Sequence, residues 1–108
     1  MSNSTIMTIN WTGVSGQEYR YEIWPINQQF NKVAGNYIFS RQTKPGYWSP
    51  IYIGQTGNLS ERFDHHHKRF CISSHNATHI HVRANGNLNS RLTEERDLVL
   101  KWNPPCNG

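Results

Sequence analysis

Within a few residues, the stretch Tyr52-Ile53-Gly54-Gln55-Thr56-Gly57-Asn58 passes from an apolar strand through a glycine-containing turn to a helix-opening asparagine. Glu61 stands three residues after Asn58, a capping-box-like start. The pattern predicts a helix from Asn58 to about Phe70, with Leu59, Phe63 and Phe70 on one face. Arg62, His66 and Arg69 follow i, i+4, i+7 spacing and line up as one polar stripe. Arg62 falls in the first turn of that helix, beside unpaired backbone N–H groups and the positive end of the dipole, where a phosphate is readily seated.

The rest of the chain punctuates itself into short strands and one further helix. Residues 5–11 and 18–24 alternate loosely and join through Gly13-Val14-Ser15-Gly16, which predicts two strands. Tyr37-Ile38-Phe39 and Ile51-Tyr52-Ile53 flank Thr43-Lys44-Pro45-Gly46 and read as a hairpin. Tyr37 and Tyr52 are equidistant from the Lys44-Pro45 junction, so a symmetric hairpin sets the two phenols opposite each other unless a bulge intervenes. Ala77 to Ala84 alternates as a strand, with Ile80 and Val82 on one side and His79 and His81 on the other. A last helix is expected from about Asn89 to Trp102, stopped by Pro104-Pro105. The expected fold class is α+β: a small, mainly antiparallel sheet with helices packed on it.

That last helix carries a physical anomaly. Leu88, Leu92, Glu95, Val99 and Trp102 repeat at four- and three-residue steps, a stripe expected to face the core, with Glu94 and Asp97 outside. A carboxylate on a core-facing stripe costs several kcal/mol unless a cation or a metal neutralises it. Arg91 and Arg62 are the candidate cations, and a metal is the alternative.

At 108 residues the chain is one domain with room for one modest core. Aromatic residues make up 12%, including four tryptophans, which excludes a disordered chain. A net charge of +4 leans toward an anionic partner without specifying one. Met1 to Thr5 has neither a basic nor an apolar leader region, and no run is apolar enough to span a bilayer, so a cytoplasmic protein without a membrane is expected. Cys71 and Cys106 fit no zinc-ribbon or redox spacing and are expected as free thiols.

Taken in order, Gly35-Asn36-Tyr37, Tyr52-Ile53-Gly54, Arg62 ten residues after Tyr52, Glu95 ahead of Leu98-Val99, and Asn107 after Pro104-Pro105 resemble the GIY-YIG nuclease superfamily. His66, four residues after Arg62, matches a histidine found there in many members. The likeness covers roughly residues 35–108, leaving 1–34 as an N-terminal extension of added strands. Asn36 stands where the family's middle isoleucine is usual, and Glu61 where some members carry lysine.

The resemblance implies a metal-dependent endonuclease, hydrolysing phosphodiester bonds in DNA, with RNA also open. Glu95 would ligate Mg2+ or Mn2+, Arg62 would hold the non-bridging oxygens, and Tyr37 would act as general base with Tyr52 orienting the water. His66 would accept a proton or touch phosphate, and Asn107 would fix local geometry. Lys44, Lys68, Arg69, Arg83 and Arg91 are the candidate backbone-following cations. A monomer of this kind nicks one strand; a double-strand cut requires a dimer or two visits. The alternative is a nucleic-acid-binding module of the same fold without catalysis. A rival reading gathers His65-His66-His67 or His79 and His81 into a transition-metal site.

Overall fold

The structure, a computed structural model, describes residues 5–61 and 66–108. Strands β1 (Thr8–Thr12), β2 (Glu18–Pro25), β3 (Gly35–Lys44), β4 (Tyr47–Thr56) and β5 (His79–Ala84) form one antiparallel sheet in the order β1-β2-β5-β3-β4. Helix α1 (Arg69–Ser74) precedes β5 and helix α2 (Leu88–Trp102) follows it. The α+β class is as expected, and the first two strands belong to the same sheet through β2 against β5.

Both sheet faces are covered. Tyr37, Phe39, Ile51, Ile80 and Val82 pack with Leu59, Ile72 of α1 and Cys106 on one side. Trp11, Tyr21, Ile38 and Ile53 pack with Leu98 of α2 on the other. The period-2 alternation of β5 does what the sequence predicted, sending Ile80 and Val82 to the first face and His81 to the second.

The β3–β4 hairpin closes on Pro45 and Gly46. Pro45 presets its own φ, and Gly46 takes the left-handed φ of 82° that a Pro-Gly turn demands. The strands are longer than expected and carry register shifts at Phe39/Ser40 and Gln42/Lys44. Tyr37 therefore pairs with Gly54, and Tyr52 with Phe39. The slip is an even number of residues, so both phenols keep the same face, as diagonal rather than direct neighbours.

Helix α2 sits on the sheet about one residue, or roughly 100°, away from the expected rotation. Arg91, Glu94, Asp97 and Leu98 are buried, whereas Leu88, Leu92 and Trp102 are exposed. The burial of Glu94 and Asp97 corrects the expectation that they face outward. Glu94 accepts from Tyr21 Oη and from Arg83 Nε (3.1 Å). Asp97 accepts from Ser15 N (2.9 Å), Ser15 Oγ (2.7 Å) and Tyr19 Oη (2.8 Å), which fastens the β1–β2 turn to the helix and holds its carboxyl below the usual range. Periodicity alone could not find these partners, which lie more than seventy residues away for Tyr21, Ser15 and Tyr19. Asn87 caps the start of α2 by accepting from Ser90 N (2.8 Å). Asn103, at φ 44°, ends it ahead of Pro104.

Of the helix predicted from Asn58 to about Phe70, residues 58–61 and 66–68 are not helical and only Arg69 and Phe70 are, at the start of α1. Asn58 Oδ1 accepts from Ser60 N (2.9 Å) and Ser60 Oγ (2.6 Å), closing an Asx turn. Leu59 is buried while Phe70 is 76% exposed, so the two do not share a core face. Arg62, Phe63 and His65 lie outside the described residues. The two cysteines are also corrected: Cys71 and Cys106 are joined as a disulfide.

Candidate active site

The open edge of β4 organises the site. Antiparallel geometry turns the backbone groups of alternate residues, here Ile51, Ile53 and Gln55, away from β3. The C-terminal segment covers the first two: Cys106 N donates to Ile51 O (3.0 Å). The Asn107 amide takes both groups of Ile53, accepting from its N–H (2.8 Å) and donating to its carbonyl (2.8 Å). The Gln55 N–H is taken by the carboxylate of Glu95. Asn107 thus acts on the strand that carries Tyr52, with both ends of its amide engaged by backbone.

Glu95 is half-buried on the flank of α2. Burial pushes its carboxyl above the ordinary carboxylate value, with the Gln55 N–H opposing. Among the described residues no cation pairs with it. Arg91, one of the two cations considered from the sequence, instead donates from Nε to Gln55 Oε1 (2.9 Å) and from Nη1 to Asn85 O (3.1 Å). Glu95 lies close enough to Tyr37 and Tyr52 for its charge to raise both phenols.

The two phenols and His66 form a cluster. Ring centroids are 6.1 Å apart for Tyr37 and Tyr52, 5.8 Å for Tyr37 and His66, and 5.0 Å for Tyr52 and His66. His66 Nδ1 accepts from the backbone N–H of Lys68 (3.0 Å), which assigns the proton of the neutral ring to Nε2. Nε2–H therefore donates to Tyr37 Oη (2.7 Å), and Tyr37 O–H donates in turn to Tyr52 Oη. Burial, with neighbouring His67 and Lys68, pushes His66 down to about 4, so the ring is neutral at physiological pH. Burial is also the main cause that raises both phenols, and Tyr37 is the more deeply enclosed. A Cβ on Gly54 would fall 2.6 Å from Tyr37 Cζ and 2.9 Å from Tyr52 Cε2, so only glycine leaves room for the pair.

The structure therefore brings together Tyr37, Tyr52, His66 and Glu95, and sets Asn107 against the edge of β4, the strand that carries Tyr52. Arg62 lies outside the described residues. Three contributions escaped the sequence reading, although Gly54 and Lys68 were named there for other reasons. Gln55 and Lys68 act through backbone N–H groups, which no side-chain motif announces, and Gly54 acts by lacking a side chain.

The candidate nucleic-acid cations divide. Lys44, at the hairpin end, lies over the ring of exposed Tyr47 (4.3 Å), and Lys68 is partly exposed just before α1. Arg69 stacks on the exposed ring of Phe70 (4.7 Å). Arg91 is only 7% exposed and spans β4 and the turn before α2, which corrects its assignment as a surface contact. Arg83 is committed to Glu94, so it too serves the core.

His79 and His81 do not make a metal site. His81 is fully buried, accepts from Trp11 Nε1 at Nδ1 (2.9 Å) and meets Ser40 Oγ at Nε2 (2.8 Å). Trp48 packs edge-on against both histidine rings at 4.8 Å. Burial, helped by His79, pushes His81 from 6.5 down to about 3. Between those values the unfolded chain binds a proton at His81 that the folded chain refuses. This contribution to stability is whole above about 6.5 and lost as pH falls toward 3, by at most about 1.4 kcal/mol per pH unit. Urea midpoints should decline below pH 6.5 in the wild type and less steeply in His81→Gln; parallel profiles for the two would refute this account.

No family model, curated protein or solved structure matches this chain.

Proposed function

We propose that this chain is a metal-dependent endonuclease that hydrolyses phosphodiester bonds in DNA. One observation carries the reading: a half-buried carboxylate, Glu95, has no cation beside it among the described residues and borders a hydrogen-bonded pair of phenols. The donor set suits a hard divalent cation, since one carboxylate together with phosphate and water oxygens is an ordinary protein share for Mg2+ or Mn2+. Glu95 would hold such an ion, which would supply positive charge to offset the carboxylate and the charge developing on the phosphate in the transition state.

The roles of the phenols follow from burial. Tyr37 is enclosed and lies between His66 and Tyr52, so it serves as the inner link. Tyr52 is half-buried and is the phenol that meets the attacking water, reversing the order expected from the sequence. Burial and the charge of Glu95 raise Tyr52, and the Tyr37 O–H that donates to its Oη opposes them; a cation held at Glu95 would offset that charge and let Tyr52 Oη accept the proton of the water. Asn107 keeps β4 in place beneath Tyr52. Arg62 is assigned the non-bridging oxygens by the resemblance alone. Lys44 and Lys68 are the cations we assign to a DNA backbone, with Arg69 beside them at the start of α1.

The degraded first motif does not count against catalysis. Asn36 is buried against α2, donating to Arg91 O (3.0 Å), on the face opposite Tyr37. Its Oδ1 is a buried oxygen with no partner among the described residues, a cost that falls on packing and not on the site.

Among the described residues, no helix is long and apolar enough to cross a membrane. A cytoplasmic monomer, or a dimer if both strands are cut, stays the proposal from the sequence; the Cys71–Cys106 disulfide is the observation opposed to that compartment, since thiol reductants there act to reduce it. The test is nicking of supercoiled plasmid with Mg2+ or Mn2+, with and without a chelator. Chelator-sensitive nicking supports the reading, retention of DNA in a gel without cutting transfers it to a binding module, and neither result retires both.

A further inference from the structure

A cluster remote in chemistry from the phenols joins α1 to the C-terminal segment. Cys71 and His75 are four residues apart at the end of α1, one helical turn, and so share a face. Cys106 arrives from the other end of the chain, held by its N–H on Ile51 O and by the neighbouring Asn107 amide on Ile53. The Sγ atoms of Cys71 and Cys106 and Nδ1 of His75 all lie within 4.8 Å of one another.

We infer that, with its disulfide reduced, the chain binds one zinc ion through Cys71 Sγ, Cys106 Sγ and His75 Nδ1, so that the same two sulfurs staple α1 to the C-terminal segment either directly or through the metal. The distances support this. A tetrahedral zinc with bonds of about 2.3 Å to sulfur and about 2.1 Å to nitrogen has sulfur–nitrogen edges of about 3.6 Å. His75 Nδ1 stands 3.8 Å from Cys71 Sγ and 3.7 Å from Cys106 Sγ. Two edges of the coordination tetrahedron are thus nearly in place, and only the sulfurs need to part, to about 3.8 Å. Two thiolates with one imidazole select zinc over the hard cations suited to Glu95. His75 is exposed, which leaves an approach for the ion and a fourth position for water.

The chemistry balances. A dithiol or phosphine reductant supplies two electrons and is itself oxidised; the Cys71–Cys106 bond breaks and each sulfur takes a proton. Zinc then displaces both thiol protons to solvent. His75 Nδ1, which lies 2.9 Å from Cys71 O, turns to the ion as the imidazole proton moves to Nε2.

The experiment titrates the reduced full chain anaerobically with Co2+ and then Zn2+, beside the oxidised chain. The expected result is one Co2+ per reduced chain, with a thiolate-to-cobalt charge-transfer band and intense tetrahedral visible bands, both removed by Zn2+; the oxidised chain gives neither. Oxygen-only binding at Glu95 produces no charge-transfer band, so the two metals' sites are read separately and nuclease activity is not involved. His75→Ala should weaken binding by about a hundredfold or more, since even outer-shell changes cost roughly 10–100-fold. Cys71→Ser and Cys106→Ser should each remove most of the band. If the reduced apo chain loses its fold, restoration of the oxidised chain's circular dichroism by Zn2+ supports the inference and failure to restore it counts against it. Reduced protein that gives no charge-transfer band, or His75→Ala binding as tightly as wild type, overturns it.

Discussion

Glu95→Ala should abolish metal-dependent nicking while leaving the folded chain about as stable as before. The loss expected is about 10³-fold or more, because charge stabilisation by a bound metal is worth several kcal/mol. Stability should move by no more than about 1 kcal/mol, since the substitution removes one hydrogen bond, from Gln55, and relieves a carboxylate that burial already disfavours. The phenols grade the prediction further. Tyr52→Phe removes the oxygen assigned to the water and should cost about 10²–10⁴-fold. Tyr37→Phe removes two hydrogen bonds, to His66 and to Tyr52, of which only the second bears on the base, and should cost about tenfold. Nicking kinetics beside urea unfolding of each variant check all three. A Glu95→Ala enzyme cutting at the wild-type rate ends the assignment, and Tyr37→Phe being the deader phenol variant restores the order expected from the sequence.

Glu94→Ala, one residue away, should do the reverse: destabilise strongly through the core. Glu94 is 2% exposed and holds both Tyr21 Oη and Arg83 Nε. Truncation leaves a fully buried phenol without its partner and opens a cavity between α2 and β2. A cost of about 2–4 kcal/mol follows, below the top of the range for broken buried pairs because the Arg83 side chain is 38% exposed and can turn to water. Denaturant titration measures it. Tyr21→Phe in the same background should add little, because the partner is already gone, and full additivity of the two would refute the coupling. The contrast between adjacent glutamates, one bearing on chemistry and one on folding, separates the roles that a single stripe of sequence merged.

Much of the architecture was legible along the chain. Alternation placed β1, β2 and β5 nearly where they stand, and Pro45-Gly46 announced the hairpin. Parity survived the register shifts, so the shared face of Tyr37 and Tyr52 was readable even though their direct pairing was not. The failures have two causes. An inward Leu88-Leu92 stripe, outward Glu94 and Asp97, free cysteines and a surface Arg91 were judged without partners that lie well apart in sequence, whereas the helix start at Asn58 gave way to a local Asx turn with Ser60. Local propensity is worth tenths of a kcal/mol per residue. A satisfied buried carboxylate, by comparison, involves several.

The sequence by itself determined the elements and their polarity: which residues can alternate, where the chain must turn, and that an acidic group in the last helix would need explaining. Only the tertiary structure decided which carboxylate is neutralised within the fold and which is left beside the phenols. That choice depends on Tyr21, Arg83, Ser15 and Tyr19 reaching the inner face of α2, and on the open edge of β4 offering Gln55 N–H to Glu95. Desolvation and hydrogen bonding act through space, and no spacing rule along the chain encodes them.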